Sequence, residues 1–285
     1  MGREDFLISA TDLQARLAGD HPPRLIDCRS DLFDPQAGER LWQAAHIPTA
    51  LHADLNRDLS DMSQPAALGR HPLPQPARFA RRLAAWGITD QVEVIAYDQG
   101  PGALAARLWW LLRSAGHRRV RVLDGGLNAW QRAGGALESG STAAPASAQL
   151  TEWELPRQRW LDNRQLKRAL DAGSAVLIDA REAARYRGEV EPIDSAAGHI
   201  PGALSRPFSE NLGSDGCFRS AEDLRMDFDR LRGSFAPKQV VHQCGSGVTA
   251  CHNLLAMEIA GLHGSRLHAP SWSGWLAEGG EVAKS

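Results

Sequence analysis

Long apolar runs are missing from this 285-residue chain. The most hydrophobic stretch, 103–112, is too short for the roughly 18 uninterrupted residues a membrane span requires and carries Arg107, so no membrane partner is expected. Neither sign of charge dominates. Lys+Arg number 32 and Asp+Glu 34, a formal balance of −2, which removes the electrostatic case for wholesale nucleic-acid or polybasic membrane binding. Cysteine is scarce: Cys28, Cys217, Cys244 and Cys251 form no C-x-x-C pair, against a disulfide scaffold or a structural zinc site. The ten histidines show no H-E-x-x-H or similar spacing, so no metal is expected. Residues 1–6 hold no apolar signal core, and Phe6 stands where a myristoylation signal wants Ser or Thr; the expectation is cytoplasmic. What is present, 43% hydrophobic and 23% charged residues, is ordinary for a folded chain with room for two domains.

The chain is written twice. Leu25-Ile26-Asp27-Cys28-Arg29 returns as Leu177-Ile178-Asp179-Ala180-Arg181, and His46-Ile47-Pro48-Thr49-Ala50 as His199-Ile200-Pro201-Gly202-Ala203. Val94-Ile95-Ala96-Tyr97-Asp98 is matched by Val240-Val241-His242-Gln243-Cys244, and Leu123 to Gly126 with Trp130 by Leu267 to Pro270 with Trp275. Landmarks in one order, roughly 150 residues apart, mean duplicated domains, since solenoid periods run about 20–50. Short Val/Ile/Leu runs alternate with helical patterns, which predicts an α/β fold with mainly parallel, buried sheets. Helices are expected over 10–18, 76–86, 103–115, 163–172 and 248–260, with Thr11 and Asp162 as N-caps and Gly87, Gly116 and Gly261 as stops. A Gly/Ser/Thr/Ala/Pro-rich stretch over 134–148 has no period. The expected division is a first domain 1–138, a linker 139–158 and a second domain 159–285.

The sharpest local signal is Cys244-Gly245-Ser246-Gly247-Val248-Thr249, between a buried strand and a helix. Glycines permit a turn in which successive backbone N–H groups converge, a nest for an anion at the positive end of the helix. Free cysteine has a pKa of about 8.5, and a helix N-terminus lowers it by one to several units. Cys244 thus suits a nucleophile that holds a charged adduct, with the Ser246 and Thr249 hydroxyls as further donors. Cys28 and Cys251 read as packing residues. Asp98 occupies the matching turn of the first half, where a carboxylate cannot do thiolate chemistry, so one half is active and the other supports it.

These motifs resemble the rhodanese superfamily in its tandem two-domain form, over nearly the whole chain. The loop from Cys244 to Thr249 looks like the active loop of 3-mercaptopyruvate sulfurtransferases; thiosulfate sulfurtransferases typically carry Arg-Lys where this chain has Gly245-Ser246. The resemblance implies two steps: the Cys244 thiolate takes sulfur from a small donor as a persulfide, and a thiol, a thioredoxin-type protein or cyanide removes it. No cofactor is implied. Arg185 matches the arginine that grips the substrate carboxylate, with Arg187 a close competitor. A second family arginine follows a proline; here Pro192 is followed by Ile193. His71 matches a first-domain histidine placed near the cysteine, and Asp61 is chosen as its acid partner over Asn56 and Asp58. Gly245, Gly247, Val248 and Thr249 complete the expected binding loop, and Trp272 is placed near it.

Other classes fit less well. A cysteine phosphatase usually needs an arginine six residues after its cysteine, and that position is Ala250. Thiosulfate:cyanide transfer and a non-enzymatic sulfur-carrier module are the remaining alternatives. The repeated His46 and His199, present in both halves, read as structural.

Overall fold

The coordinates are a computed structural model describing residues 2–149 and 153–285. The chain divides into two compact units: Met1–Asp61 with Pro74–Leu155 and Ser214–Cys217, and Met62–Leu73 with Pro156–Gly213 and Phe218–Ser285.

In the first unit the order is Leu7–Ile8 (β1), Ala10–Leu17 (α1), Arg24–Asp27 (β2), Ala37–Ala44 (α2), Leu51–His52 (β3), Pro76–Ala85 (α3), Val94–Tyr97 (β4), Ala103–Ser114 (α4), Val120–Leu123 (β5) and Gly126–Arg132 (α5). The second unit repeats it: Trp160–Leu161 (β6), Asn163–Asp171 (α6), Val176–Asp179 (β7), Ala183–Arg187 (α7), Leu204–Ser205 (β8), Ala221–Arg232 (α8), Val240–Gln243 (β9), Ala250–Ile259 (α9), Arg266–His268 (β10) and Ser271–Ala277 (α10). The sheets run β1-β5-β4-β2-β3 and β6-β10-β9-β7-β8. Every pairing within them is parallel. This is the α/β architecture the alternating pattern predicts. All four residues of β4 and of β9 are buried, as strands covered on both faces must be.

The five expected helices form, each ending near its glycine or within the last turn of its expected range. Asp162 caps α6 through a reciprocal box: it accepts from Gln165 N at 2.8 Å, and Gln165 Oε1 accepts from Asp162 N at 3.1 Å. Thr11 is not a cap. Ser9 takes that place, its Oγ accepting from Asp12 N at 3.1 Å, and Thr11 lies inside the first turn. The helix expected from Val248 begins at Ala250, because Gly247 holds φ +77 and residues 245–248 remain a loop.

The repeated Asp-x-Arg motifs tie strand to loop. Arg181 Nη2 donates to Asp179 Oδ2 at 2.7 Å and to Gly198 O at 2.6 Å; Arg29 does the same to Asp27 and Ala45 at 2.6 Å each. His46 and His199 bond through Nδ1 to the carbonyls of Trp42 and Tyr186, which fits a structural role.

Candidate active site

The loop that follows β9 is fixed from beneath by the turn that follows β10. Trp272 N donates to Cys244 O at 3.0 Å, Ser273 N to Gly245 O at 2.9 Å, and Cys244 N to Ser271 Oγ at 3.2 Å. Ser271 holds φ +54, a left-handed conformation rare for a residue with a Cβ. Trp272, expected near the loop, does not face an opening. Its indole is fully buried in the second unit's core, donating to Ala196 O at 3.0 Å with the Arg181 guanidinium 4.6 Å from its ring centroid.

The Cys244 side chain is turned into the loop. Gly247 N–H donates to its Sγ at 3.1 Å, and the residue keeps 2% of its surface exposed. Among the described residues, no protein acceptor takes the N–H of Ser246 or of Val248. The first unit shows what such amides do. Asp98 occupies the same strand-to-helix turn, and its carboxylate accepts from Gly100 N and Gly102 N at 3.1 and 2.9 Å through Oδ1, and from Leu104 N and Ala105 N at 2.9 and 3.3 Å through Oδ2. Burial pushes the Asp98 carboxyl up, and the four amide donors pull it back. One copy of the turn has its amides closed by its own carboxylate. In the other copy Gly247 N donates to the sulfur, Ser246 N and Val248 N have no acceptor among the described residues, and Cys251 N donates to Val248 O at 3.0 Å.

The segment 66–71 reaches this loop by lying close against α10. A Cβ on Gly69, which holds φ +93, would come within 2.5 Å of Pro270 O, and one on Gly274 within 2.8 Å of Ala67 O. Glycine at both places lets the backbones touch. Arg70 N then donates to Ser273 Oγ at 2.9 Å, and His71 Nδ1 lies 2.7 Å from Ser246 Oγ. Thr249 contributes its carbonyl, accepting from His252 N at 3.1 Å.

Beside the loop stands an ion-pair cluster that the sequence reading only half identified. Arg185 donates from Nε and Nη2 to Glu191 at 3.1 and 2.6 Å, and from Nη2 to Asp194 Oδ2 at 3.1 Å. Arg70 Nη1 donates to Asp194 Oδ1 at 2.6 Å. Burial alone would raise the Glu191 carboxyl; hydrogen bonds from Arg185 and from the amides of Asp194 and Ile193 outweigh it and hold Glu191 below the usual carboxylate range. Arg187, the competitor of Arg185, is exposed and pairs with Glu189 at 2.7 Å.

The structure therefore brings Cys244, Gly245, Ser246, Gly247, Val248, Thr249, His71 and Arg185 into one unit. Asp61 belongs to the first unit, buried, with Gln75 Nε2 donating to it at 2.9 Å and Arg78 3.8 Å away. Asp58, an alternative, is bound there by Arg82 and Arg57 at 2.8 and 3.0 Å. Arg70, Asp194 and Ser271 were missed. The repeat as read from sequence set Pro270 opposite Gly126, and only the hydrogen bonds of Leu127 N to Asp98 O and Trp272 N to Cys244 O put Ser271 there. The other thiols are poorly placed for chemistry: burial pushes Cys28 well above its ordinary range, and burial with Asp124 and Asp215 raises Cys217 to about 11. A cavity of about 460 Å³ in the second unit, lined among others by Lys167, Asp171 and Trp275, includes no loop residue.

The rhodanese-like domain pattern matches residues 9–133 and again 162–278. The chain belongs to the rhodanese family. A probable 3-mercaptopyruvate sulfurtransferase of Pseudomonas aeruginosa is 47% identical over 275 residues, 95% of each chain. A putative thiosulfate sulfurtransferase of Mycobacterium tuberculosis is 36% identical, over 97% of this chain and 95% of that one. Among solved structures, the 3-mercaptopyruvate sulfotransferase SseA from Escherichia coli superposes with a TM-score of 0.79 at 30% identity, covering 94% of this chain and 98% of its own. The two units are thus tandem rhodanese-like domains.

Proposed function

We propose that this rhodanese is a sulfurtransferase that carries one sulfane sulfur on Cys244, taking it from a small donor, with 3-mercaptopyruvate favoured, and passing it to a thiol, a thioredoxin-type protein or cyanide. The observation that carries this reading is the pair of matching turns. Gly100 N and Gly102 N clasp the Asp98 carboxylate, and their counterparts Ser246 N and Val248 N have no protein acceptor among the described residues. A persulfide anion grown on Sγ is the charge they fit.

The Cys244 thiolate attacks the donor's sulfur. The new S–S bond forms as the donor's C–S bond breaks, and the bonding pair leaves on carbon as the enolate of pyruvate. That carbon takes up the proton the donor thiol carried, so Cys-S⁻ and 3-mercaptopyruvate become Cys-S-S⁻ and pyruvate. The hydrogen-bonded Ser246 hydroxyl and His71 ring are suited to pass this proton, since a hydroxyl both donates and accepts and a neutral imidazole does likewise. An acceptor thiolate then attacks the outer sulfur and frees the Cys244 thiolate. Cys244 keeps 2% of its surface exposed, so its own Sγ is held out of bulk water while the added outer sulfur extends beyond it. Thiosulfate is the second donor reading, favoured by the name of the Mycobacterium tuberculosis relative. We assign the reaction to the cytoplasm, where reduced thiols are abundant and the four free cysteines stay reduced.

Intact-mass measurement after mixing purified protein with donor tests the reading. One added sulfur atom is expected on the wild type and none on Cys244→Ser; a wild type that gains no sulfur from any donor would point to a binding module instead.

A further inference from the structure

Resting on that reading, we propose that Arg70 is the second cation of the donor site, forming with Arg185 a two-guanidinium clamp for a carboxylate spaced a few bonds from the transferred sulfur. The two side chains arrive from distant parts of the sequence and meet at one spot. A Cβ built on Gly245 would lie 3.2 Å from Arg70 Nη2, 3.6 Å from Arg185 Nη2 and 3.7 Å from Asp194 Oδ2. Gly245 directly follows Cys244, and consecutive Cα atoms stand about 3.8 Å apart. The cations therefore stand against the residue next to Cys244.

The charges are layered. Glu191 and Asp194 keep 4% and 5% of their side-chain surface exposed, Arg185 16% and Arg70 25%. The carboxylates lie at the back and hold the guanidiniums in place, and an anion arriving from solvent meets the cations first. Asp194 is shared, one oxygen to each arginine. Donors are left over on both: Arg185 Nη1 and Arg70 Nη2 have no acceptor among the described residues, and Arg70 Nε is buried without one. A planar carboxylate suits two guanidinium forks better than point charges. Position 193, apolar here, supplies no cation to this cluster; Arg70 enters it instead, on a segment held close to Pro270 by Gly69.

The geometry also selects between donors. Thiosulfate carries its charge on the transferable sulfur and on the oxygens of the sulfur bonded to it, whereas 3-mercaptopyruvate carries its carboxylate beyond a methylene and a ketone. Cations displaced to Gly245 match the second. Thiosulfate would be served by cations inside the loop, where this chain has Gly245 and Ser246.

The test compares 3-mercaptopyruvate with its uncharged methyl ester on wild type, Arg70→Ala, Arg70→Lys and Arg185→Ala. Loss of one charge-assisted contact should raise KM for the acid about 10- to 100-fold in Arg70→Ala while kcat changes little, and leave the ester's kcat/KM nearly unchanged. Arg70→Lys should recover part of the loss, as a point charge without the fork. An unchanged KM for the acid, or equal losses on acid and ester, would overturn the assignment of Arg70. Failure of the parent reading looks different: wild-type Cys244 would then take no sulfur from any donor, and both proposals would fall together.

Discussion

Ser271 holds φ +54 where its counterpart in the first unit, Gly126, holds φ +57. The correspondence is fixed by hydrogen bonds, since Trp272 N donates to Cys244 O as Leu127 N donates to Asp98 O. Glycine adopts this conformation freely, whereas for serine it costs on the order of 1 kcal/mol or more. What the second copy gains is a hydroxyl that accepts from Cys244 N and donates to His268 O at 2.9 Å. Ser271 is thus a positioning residue, setting the backbone from which the thiol projects. Two variants separate strain from support. Ser271→Ala keeps the strain and loses both bonds, so it should melt below Ser271→Gly, with about 1–2 kcal/mol between them in unfolding free energy. Both should lower kcat without restoring each other's loss, and equal stability of the two would remove the strain argument. At this scale the sequence pointed to Cys244 as the proposed nucleophile, because that residue lies between a buried strand and a Gly-x-Gly turn. It could not carry Arg70, whose meaning lies in a contact with Asp194, 124 positions away.

The strand-turn-helix element explains more of the chemistry than any single side chain. Its first copy is closed by Asp98, whose carboxylate satisfies four amides of the turn; its second copy is open around Cys244. Removing the carboxylate should therefore both destabilise the first unit and create an anion site there. Asp98→Ala is expected to cost on the order of 3 kcal/mol, as four donors, three of them buried, lose their acceptor. Sulfate should raise the variant's melting temperature more than the wild type's, whose response reports only the general salt effect. Equal responses would mean that the turn is no anion cradle, and would weaken the same reading of the Cys244 loop. Elements were legible in proportion to their apolar patterning. The buried strands β2, β4, β7 and β9 and five helices stood out. The twelve-residue α8 did not, because only Leu224 and Phe228 of it are buried. Its capping signal was present all the same, Ser220 Oγ accepting from Asp223 N at 3.0 Å. The two-residue strands β1, β3, β6 and β8 are too short to show a period.

For the whole molecule, duplication made the architecture readable, since each half checks the other. Duplication also isolates what is peculiar to the copy that carries Cys244. One such feature is a histidine in the middle of β9, where the first copy has Ala96 in β4. His242 is fully buried. Its Nδ1 has no partner among the described residues, its Nε2 lies 3.0 Å from Met257 Sδ, and the ring meets Phe228 edge-on at 6.0 Å. Burial, with Arg206 nearby, lowers its pKa to about 3, against about 6.5 in an unfolded chain. Between those values the unfolded state binds the extra proton, so stability rises with pH there. The contribution is fully present above about pH 6.5 and is lost as the solution is acidified towards pH 3. At pH 5 the loss from this one group is about 2 kcal/mol, set by the unfolded pKa alone as long as the folded one lies well below 5. His242→Leu removes the titration without orphaning a hydrogen-bond partner. The fall in unfolding free energy from pH 8 to pH 5, followed by urea denaturation, should therefore shrink by about that amount in the variant. An unchanged fall would mean that His242 takes up a proton in the folded protein, and that the strand before Cys244 tolerates a buried cation.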